Sequence, residues 1–113
     1  MMQRNIVQRR AMVIKVLPDK LAAYRALHAD PFAGVLAALK AAHVGNYSIF
    51  LKDDVLFAYL EYSGDDWDAD MARVAADPET QRWWALTDPC QTPWPTARAG
   101  EWWSDMEPVF FLE

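Results

Sequence analysis

Asn46-Tyr-Ser-Ile-Phe-Leu-Lys-Asp-Asp-Val-Leu-Phe-Ala-Tyr-Leu-Glu-Tyr62 reads as two strands around a tight turn. Residues 46–51 and 55–62 are rich in β-branched, aromatic and other apolar side chains, and Lys52-Asp53-Asp54 supplies the turn. Tyr47, Ile49 and Leu51 point one way and Phe50 the other; Val55, Phe57 and Tyr59 oppose Leu56 and Leu60. A sheet with one wet face alternates apolar with polar residues. This hairpin is apolar on both faces, so both need cover. Helices of the same chain cover one. The other needs a second sheet, and a chain of 113 residues has none left over. A homodimer packed sheet against sheet is the simplest expectation.

The flanking segments complete the pattern. Ala11 to Leu17 is a β-branched strand ended by Pro18, and Asp19 is placed to cap the helix over Lys20 to His28. Asp30-Pro31 interrupts, because a residue before proline is pushed out of helical geometry. Phe32 to Ala42 is helical again, with Val35, Leu36 and Leu39 as its stripe. After the hairpin, Gly64-Asp65-Asp66 opens a helix over Trp67 to Ala76. Asp77-Pro78-Glu79 then breaks it and opens a short helix carrying Gln81 to Leu86. A proline-rich loop spans residues 88–100, long enough for a lid or a partner contact. Val109 to Leu112 is the expected last strand. The order is β-α-β-β-α-β, an α+β ferredoxin-like arrangement in one domain spanning residues 1–113, with residues 1–8 as a loose extension.

Composition narrows the function classes. The net charge is −5 with no basic block, which argues against a nucleic-acid partner. No apolar run approaches a membrane span or a signal peptide. The single cysteine, Cys90, allows no internal disulfide and suits a reducing compartment, so a cytoplasmic protein is expected. Two histidines and one cysteine show no metal-ligand spacing, and four glycines build no phosphate loop. No nucleophile elbow is present. Cofactor-free acid–base chemistry, or plain binding, is what remains.

Candidate site residues follow from geometry. Adjacent Trp83 and Trp84 point about 100° apart on a helix, so one enters the core and the other covers something else. The bland role is a hydrophobic corner or a subunit contact. The sharper role is a flat wall for a ligand with apolar and polar faces, such as a sugar. Leu21, Tyr24 and His28 share one helical row, with Tyr24 and His28 one turn apart. A histidine on such a face is often structural, yet imidazole is also the commonest acid–base group near neutral pH. His43 follows a helix end, where a capping or surface role is the ordinary one.

Taken together, Tyr24-x-x-x-His28, Asn46-Tyr47, Gln81-Arg82-Trp83-Trp84 and the closing Val109-Phe-Phe-Leu112 resemble the L-rhamnose mutarotase family, from about Arg10 to Leu112. The resemblance implies a cytoplasmic, ferredoxin-like homodimer, a dimeric α/β barrel. Such a protein interconverts the α and β anomers of a monosaccharide, L-rhamnose or a related 6-deoxy-hexose, without a cofactor. It implies that His28 is the catalytic proton donor and that Tyr24, Tyr47, Trp83 and Trp84 bind the sugar. Two stretches depart from the family pattern. Pro31-Phe32-Ala33-Gly34 stands where the family has Trp-Pro-Glu, and Pro108 precedes Val109 where the family has an acid. Trp94, Trp102 and Trp103 are available to rebuild part of a wall. Another small enzyme on the same barrel, such as a cofactor-free monooxygenase or isomerase, and a non-catalytic sugar-binding module are the alternatives.

Overall fold

A computed structural model describes residues 7–113. The expected loose extension lies outside the described residues except for Val7 and Gln8, and Gln8 already opens the first strand, β1, Gln8–Val16. Helices α1 (Leu21–Ala29) and α2 (Ala33–Ala41) follow, then strands β2 (Val44–Lys52) and β3 (Val55–Tyr62). Helices α3 (Trp67–Ala76) and α4 (Pro78–Thr87) come next, and two short strands, β4 (Gln91–Thr92) and β5 (Ser104–Met106), end the order. The antiparallel sheet runs β2-β3-β1-β4, with β5 also on β1. This is the ferredoxin-like order expected from the sequence.

The register sorts the side chains. Ile14 pairs with Leu56, and Arg10 with Leu60. Ile14, Val16, Leu56, Ala58, Leu60 and Tyr62 are all buried. They form the face on which the helices pack, in two clusters, one around Tyr24 and Cys90 and one around Val44 and Tyr62. The opposite face carries Val13, Val55 and Phe57, each half-buried, and Phe50, which is 60 % exposed. Apolar residues therefore line both faces, as the hairpin's pattern requires.

One irregularity decides where Tyr47 points. The β2–β3 register shifts between Gly45 and Ser48, so Asn46 and Tyr47 together oppose Leu60. Asn46 takes up the extra residue at φ 45° and donates from Nδ2 to Glu61 Oε1 at 2.7 Å. Continued without the bulge, the alternation from Val44 would turn Tyr47 to the open face. With it, Tyr47 shares the helix side with Ile49 and Leu51.

Two expectations are corrected. Val109 to Leu112 forms no strand, and these residues are 91 %, 84 %, 54 % and 80 % exposed. The edge of β1 is already taken by β4 and β5, and Pro108 has no N–H to begin a ladder. The segment is held instead by the Arg9 guanidinium, 3.1 Å from the centre of the Phe111 ring. Asp19 caps nothing: it lies in a 3-10 turn, Pro18–Lys20, started by proline, and Lys20 precedes α1 without a side-chain cap.

Elsewhere acidic caps work as expected. Asp66 accepts from Ala69 N at 3.1 Å, and Asp77 accepts from both Thr80 N and Thr80 Oγ1, at 2.9 and 3.0 Å. Thr80 is buried, so losing Asp77 removes a cap and also leaves a buried hydroxyl unpaired. Asp77→Ala is expected to cost about 2–3 kcal/mol in urea unfolding and Asp66→Ala about 1 kcal/mol. Equal losses would show that the Thr80 hydroxyl finds another partner.

Candidate active site

Helix α1 presents Tyr24 and His28 one turn apart. Their rings stack at 4.1 Å between centroids, and His28 Nδ1 lies 2.9 Å from the Tyr24 carbonyl oxygen. A carbonyl only accepts, so Nδ1 carries the proton in that bond. In the neutral ring Nε2 is then left with a lone pair, and in the charged ring it becomes a donor. His28 is half-buried.

Helix α4 brings the next wall. Thr80, Trp83 and Thr87 form its buried stripe. Trp83 meets His28 edge to face at 5.1 Å, and Phe32, just before α2, meets Trp83 at 5.2 Å in the same manner. Trp84, a third of a turn further on, is 40 % exposed, and among the described residues no ring pairing joins it to this cluster. The tryptophan pair thus divides as the helical geometry demands.

Below the imidazole lies a tyrosine-lined floor. Tyr24 is 4 % exposed, and burial together with the nearby Tyr47 phenol pushes its own phenol above the usual range. Burial likewise raises Tyr47, so its hydroxyl end is enclosed although 38 % of the residue reaches solvent. Gln91, on β4, donates from Nε2 to the Tyr24 hydroxyl at 3.4 Å, and the Trp102 indole N–H donates to Gln91 Oε1 at 3.3 Å.

The structure joins Tyr24, His28 and Trp83 by direct ring contacts and sets Tyr47 close enough to Tyr24 to raise it. Of the three further tryptophans, Trp102 reaches the floor through Gln91 and Trp103 packs on the core around Tyr24. Trp94 is half-buried in its loop, where its carbonyl accepts from Ala97 N. Phe32 and Gln91 escaped the sequence reading. Phe32 was visible only as a departure from a family pattern, and Gln91 sat inside a loop with no periodicity. His43 is elsewhere, exposed after α2 at φ 66°, with Nδ1 3.3 Å from the buried carboxylate of Asp70. Asp70 also meets the Tyr62 hydroxyl and Arg73. Among the described residues, no group of three or more His, Cys, Asp or Glu side chains is placed to hold a metal. Two broad surface depressions lie off the aromatic cluster, one along residues 7–11 beside Met106 and one between α1 and Leu86.

At the Gly34 departure, a Cβ would meet Glu79 Cβ at 2.8 Å, so the first turn of α2 is in contact with the Glu79 side chain. Glu79 in turn pairs with Arg82, beside Trp83.

The raised phenols have a pH consequence. A phenol held protonated in the fold stabilises it fully below the unfolded value of 10, and that stability is lost as pH rises through the higher folded value. Unfolding free energy is therefore expected to fall above about pH 10, and Tyr24→Phe to flatten the fall. Absorbance titration of phenolate checks this; a Tyr24 that ionises with free tyrosine would contradict it.

The family profile described as L-rhamnose mutarotase matches residues 9–112. The chain is 38 % identical over 86 residues to the L-rhamnose mutarotase of Bacillus subtilis (strain 168), covering 74 % of this chain and 79 % of that one. It is 33 % identical over 105 residues to that of Burkholderia orbicola (strain MC0-3), covering 91 % and 96 %. The crystal structure of L-rhamnose mutarotase FA22100 from Formosa agariphila superposes with a TM-score of 0.72 at 24 % identity over 94 % of this chain and 99 % of that one. Tetracenomycin F2 cyclase from Streptomyces glaucescens, a type-II polyketide cyclase, shares the fold at a TM-score of 0.60 and 19 % identity, over 94 % and 97 %. With a profile match over nearly its whole length and relatives above 30 % identity, the chain belongs to the L-rhamnose mutarotase family.

Proposed function

We propose that this protein interconverts the α and β anomers of L-rhamnose, or of a closely related 6-deoxy-hexose, by acid–base opening and closure of the sugar ring. The observation that carries the reading is the posed imidazole: His28 Nδ1 is tied to the Tyr24 carbonyl, while Trp83 stands edge-on at 5.1 Å. Anomer exchange needs one group to protonate the ring oxygen and another to take the anomeric hydroxyl proton. The carbonyl can then turn, and closure reverses both transfers. A histidine with one nitrogen anchored offers a single defined nitrogen for such work in either direction. In this reading Trp83 and Trp84 lie against the sugar's C–H faces and methyl group, and Tyr24 and Tyr47 meet its hydroxyls. Tyr24, Tyr47 and a water are the candidates for the second proton-transfer group. No cofactor enters the scheme.

The reading takes residues 1–113 as one domain in a cytoplasmic homodimer. The family match over residues 9–112 supports the single domain. Cys90 is a buried free thiol, which suits a reducing compartment. No helix among the described residues is long and apolar enough to cross a membrane. The sheet face bearing Val13, Phe50, Val55 and Phe57 supports pairing with a second copy.

Saturation-transfer NMR between anomers tests the activity over rhamnose, fucose, galactose and glucose. Rhamnose is expected to exchange fastest, and His28→Ala to lower the rate by roughly 10² to 10⁴. Wild-type exchange in His28→Ala would remove the proposed role. Sugar quenching of tryptophan fluorescence without faster exchange would favour a binding module. For assembly, sedimentation equilibrium is expected to give twice the 12.9 kDa chain mass, and Phe50→Asp to shift it toward the monomer. A monomeric wild type would refute the sheet-to-sheet pairing.

A further inference from the structure

The polar chain beneath His28 has a direction that its donors impose. An indole N–H donates and never accepts, so Trp102 fixes which end of the Gln91 amide faces it: Oε1. The amide must then turn its NH₂ toward Tyr24, where Nε2 lies 3.4 Å from the hydroxyl oxygen. Tyr24 thereby accepts from Gln91, and its own proton is left to be donated elsewhere. Among the described residues no acceptor takes that proton. Tyr24 is 4 % exposed and Gln91 7 %, so water has little access to either. A buried hydroxyl proton without a partner is costly, and a ligand oxygen relieves that cost.

We infer that Gln91, oriented by Trp102, is a positioning residue that makes the Tyr24 hydroxyl a hydrogen-bond donor toward an oxygen of the sugar. The inference rests on the mutarotase reading and extends it to residues outside the family motif. Both ends of the relay are anchored. Gln91 pairs with Val16 in the β1–β4 ladder, and Leu17 N donates to Cys90 O at 2.8 Å, so the backbone at Gln91 is fixed. Tyr24 is held by α1 and by its stack on His28. The hydroxyl and the imidazole therefore move as one unit. At 3.3 and 3.4 Å the two bonds are long, so they set direction more than they add energy. Burial holds the Asp88 carboxyl above its usual range, and the nearby Trp102 N–H offsets part of that rise; toward either neighbour the indole offers only a proton.

The test reverses the direction of the chain. A carboxylate accepts and cannot donate, so Gln91→Glu would draw the Tyr24 proton toward itself and away from the sugar. Gln91→Glu is expected to lower kcat for rhamnose anomer exchange about tenfold with KM within about twofold, a loss felt in the transition state. In a Tyr24→Phe background the same substitution is expected to change nothing further, since no hydroxyl remains to be turned. Trp102→Phe, at a site 38 % exposed and tolerant of change, keeps the ring and removes the N–H; it is expected to lower kcat severalfold. Circular dichroism and melting temperature identify variants that fail to fold. Wild-type kcat in Gln91→Glu and Trp102→Phe overturns the inference. So does an equal loss in the Tyr24→Phe background, which marks Gln91 as structural. A wild-type protein that exchanges no sugar overturns the mutarotase reading, and the inference with it.

Discussion

The hydrogen bond from His28 Nδ1 to the Tyr24 carbonyl is where fold and chemistry meet. It exists because α1 places positions 24 and 28 on one face, one turn apart. A carbonyl oxygen has two lone pairs, so that of Tyr24 can take the imidazole N–H as well as a bond within the helix. The bond selects one nitrogen for protons, and the ring stack holds the plane of the imidazole. Everything else in the site supports that pose. The β2 bulge turns Tyr47 inward, α4 delivers Trp83, and Phe32 seats Trp83 from behind.

Much of this was legible in the residues, and the exceptions share a cause. β3 and α3 fall on the ranges read from the sequence, because the polar turns at 52–54 and 64–66 bound the first and the Asp66 cap fixes the start of the second. The division of Trp83 from Trp84 also follows from helical periodicity alone. Val109 to Leu112 misled because a strand needs a free neighbour as well as β-branched and aromatic residues, and the edge of β1 is filled by residues 91–92 and 104–106. Gln91 and Trp102 were invisible as a pair. They touch across a proline-rich loop whose path no local propensity dictates. Asp70 drew no notice in the sequence, yet it is buried on α3 with Tyr62 and Arg73 gathered around it.

The fold alone decides little. A polyketide cyclase shares it at a TM-score of 0.60, so the scaffold accommodates different chemistries. In this chain Phe32-Ala33-Gly34 stands where the family resemblance implies Trp-Pro-Glu. Phe32 keeps an aromatic ring against Trp83, while at Gly34 the side chain of Glu79, from α4, lies where a Cβ would project. An aromatic ring is thus kept against Trp83, and the Glu79 carboxylate is taken up by Arg82.

The central claim is that His28 reserves Nε2 for the sugar. Long-range ¹H–¹⁵N NMR of the histidine ring reads the tautomer directly. The account predicts that neutral His28 carries its proton on Nδ1, and that adding L-rhamnose shifts the Nε2 resonance and leaves Nδ1 in place. A proton on Nε2 in the neutral ring, or a rhamnose response confined to Nδ1, would contradict it.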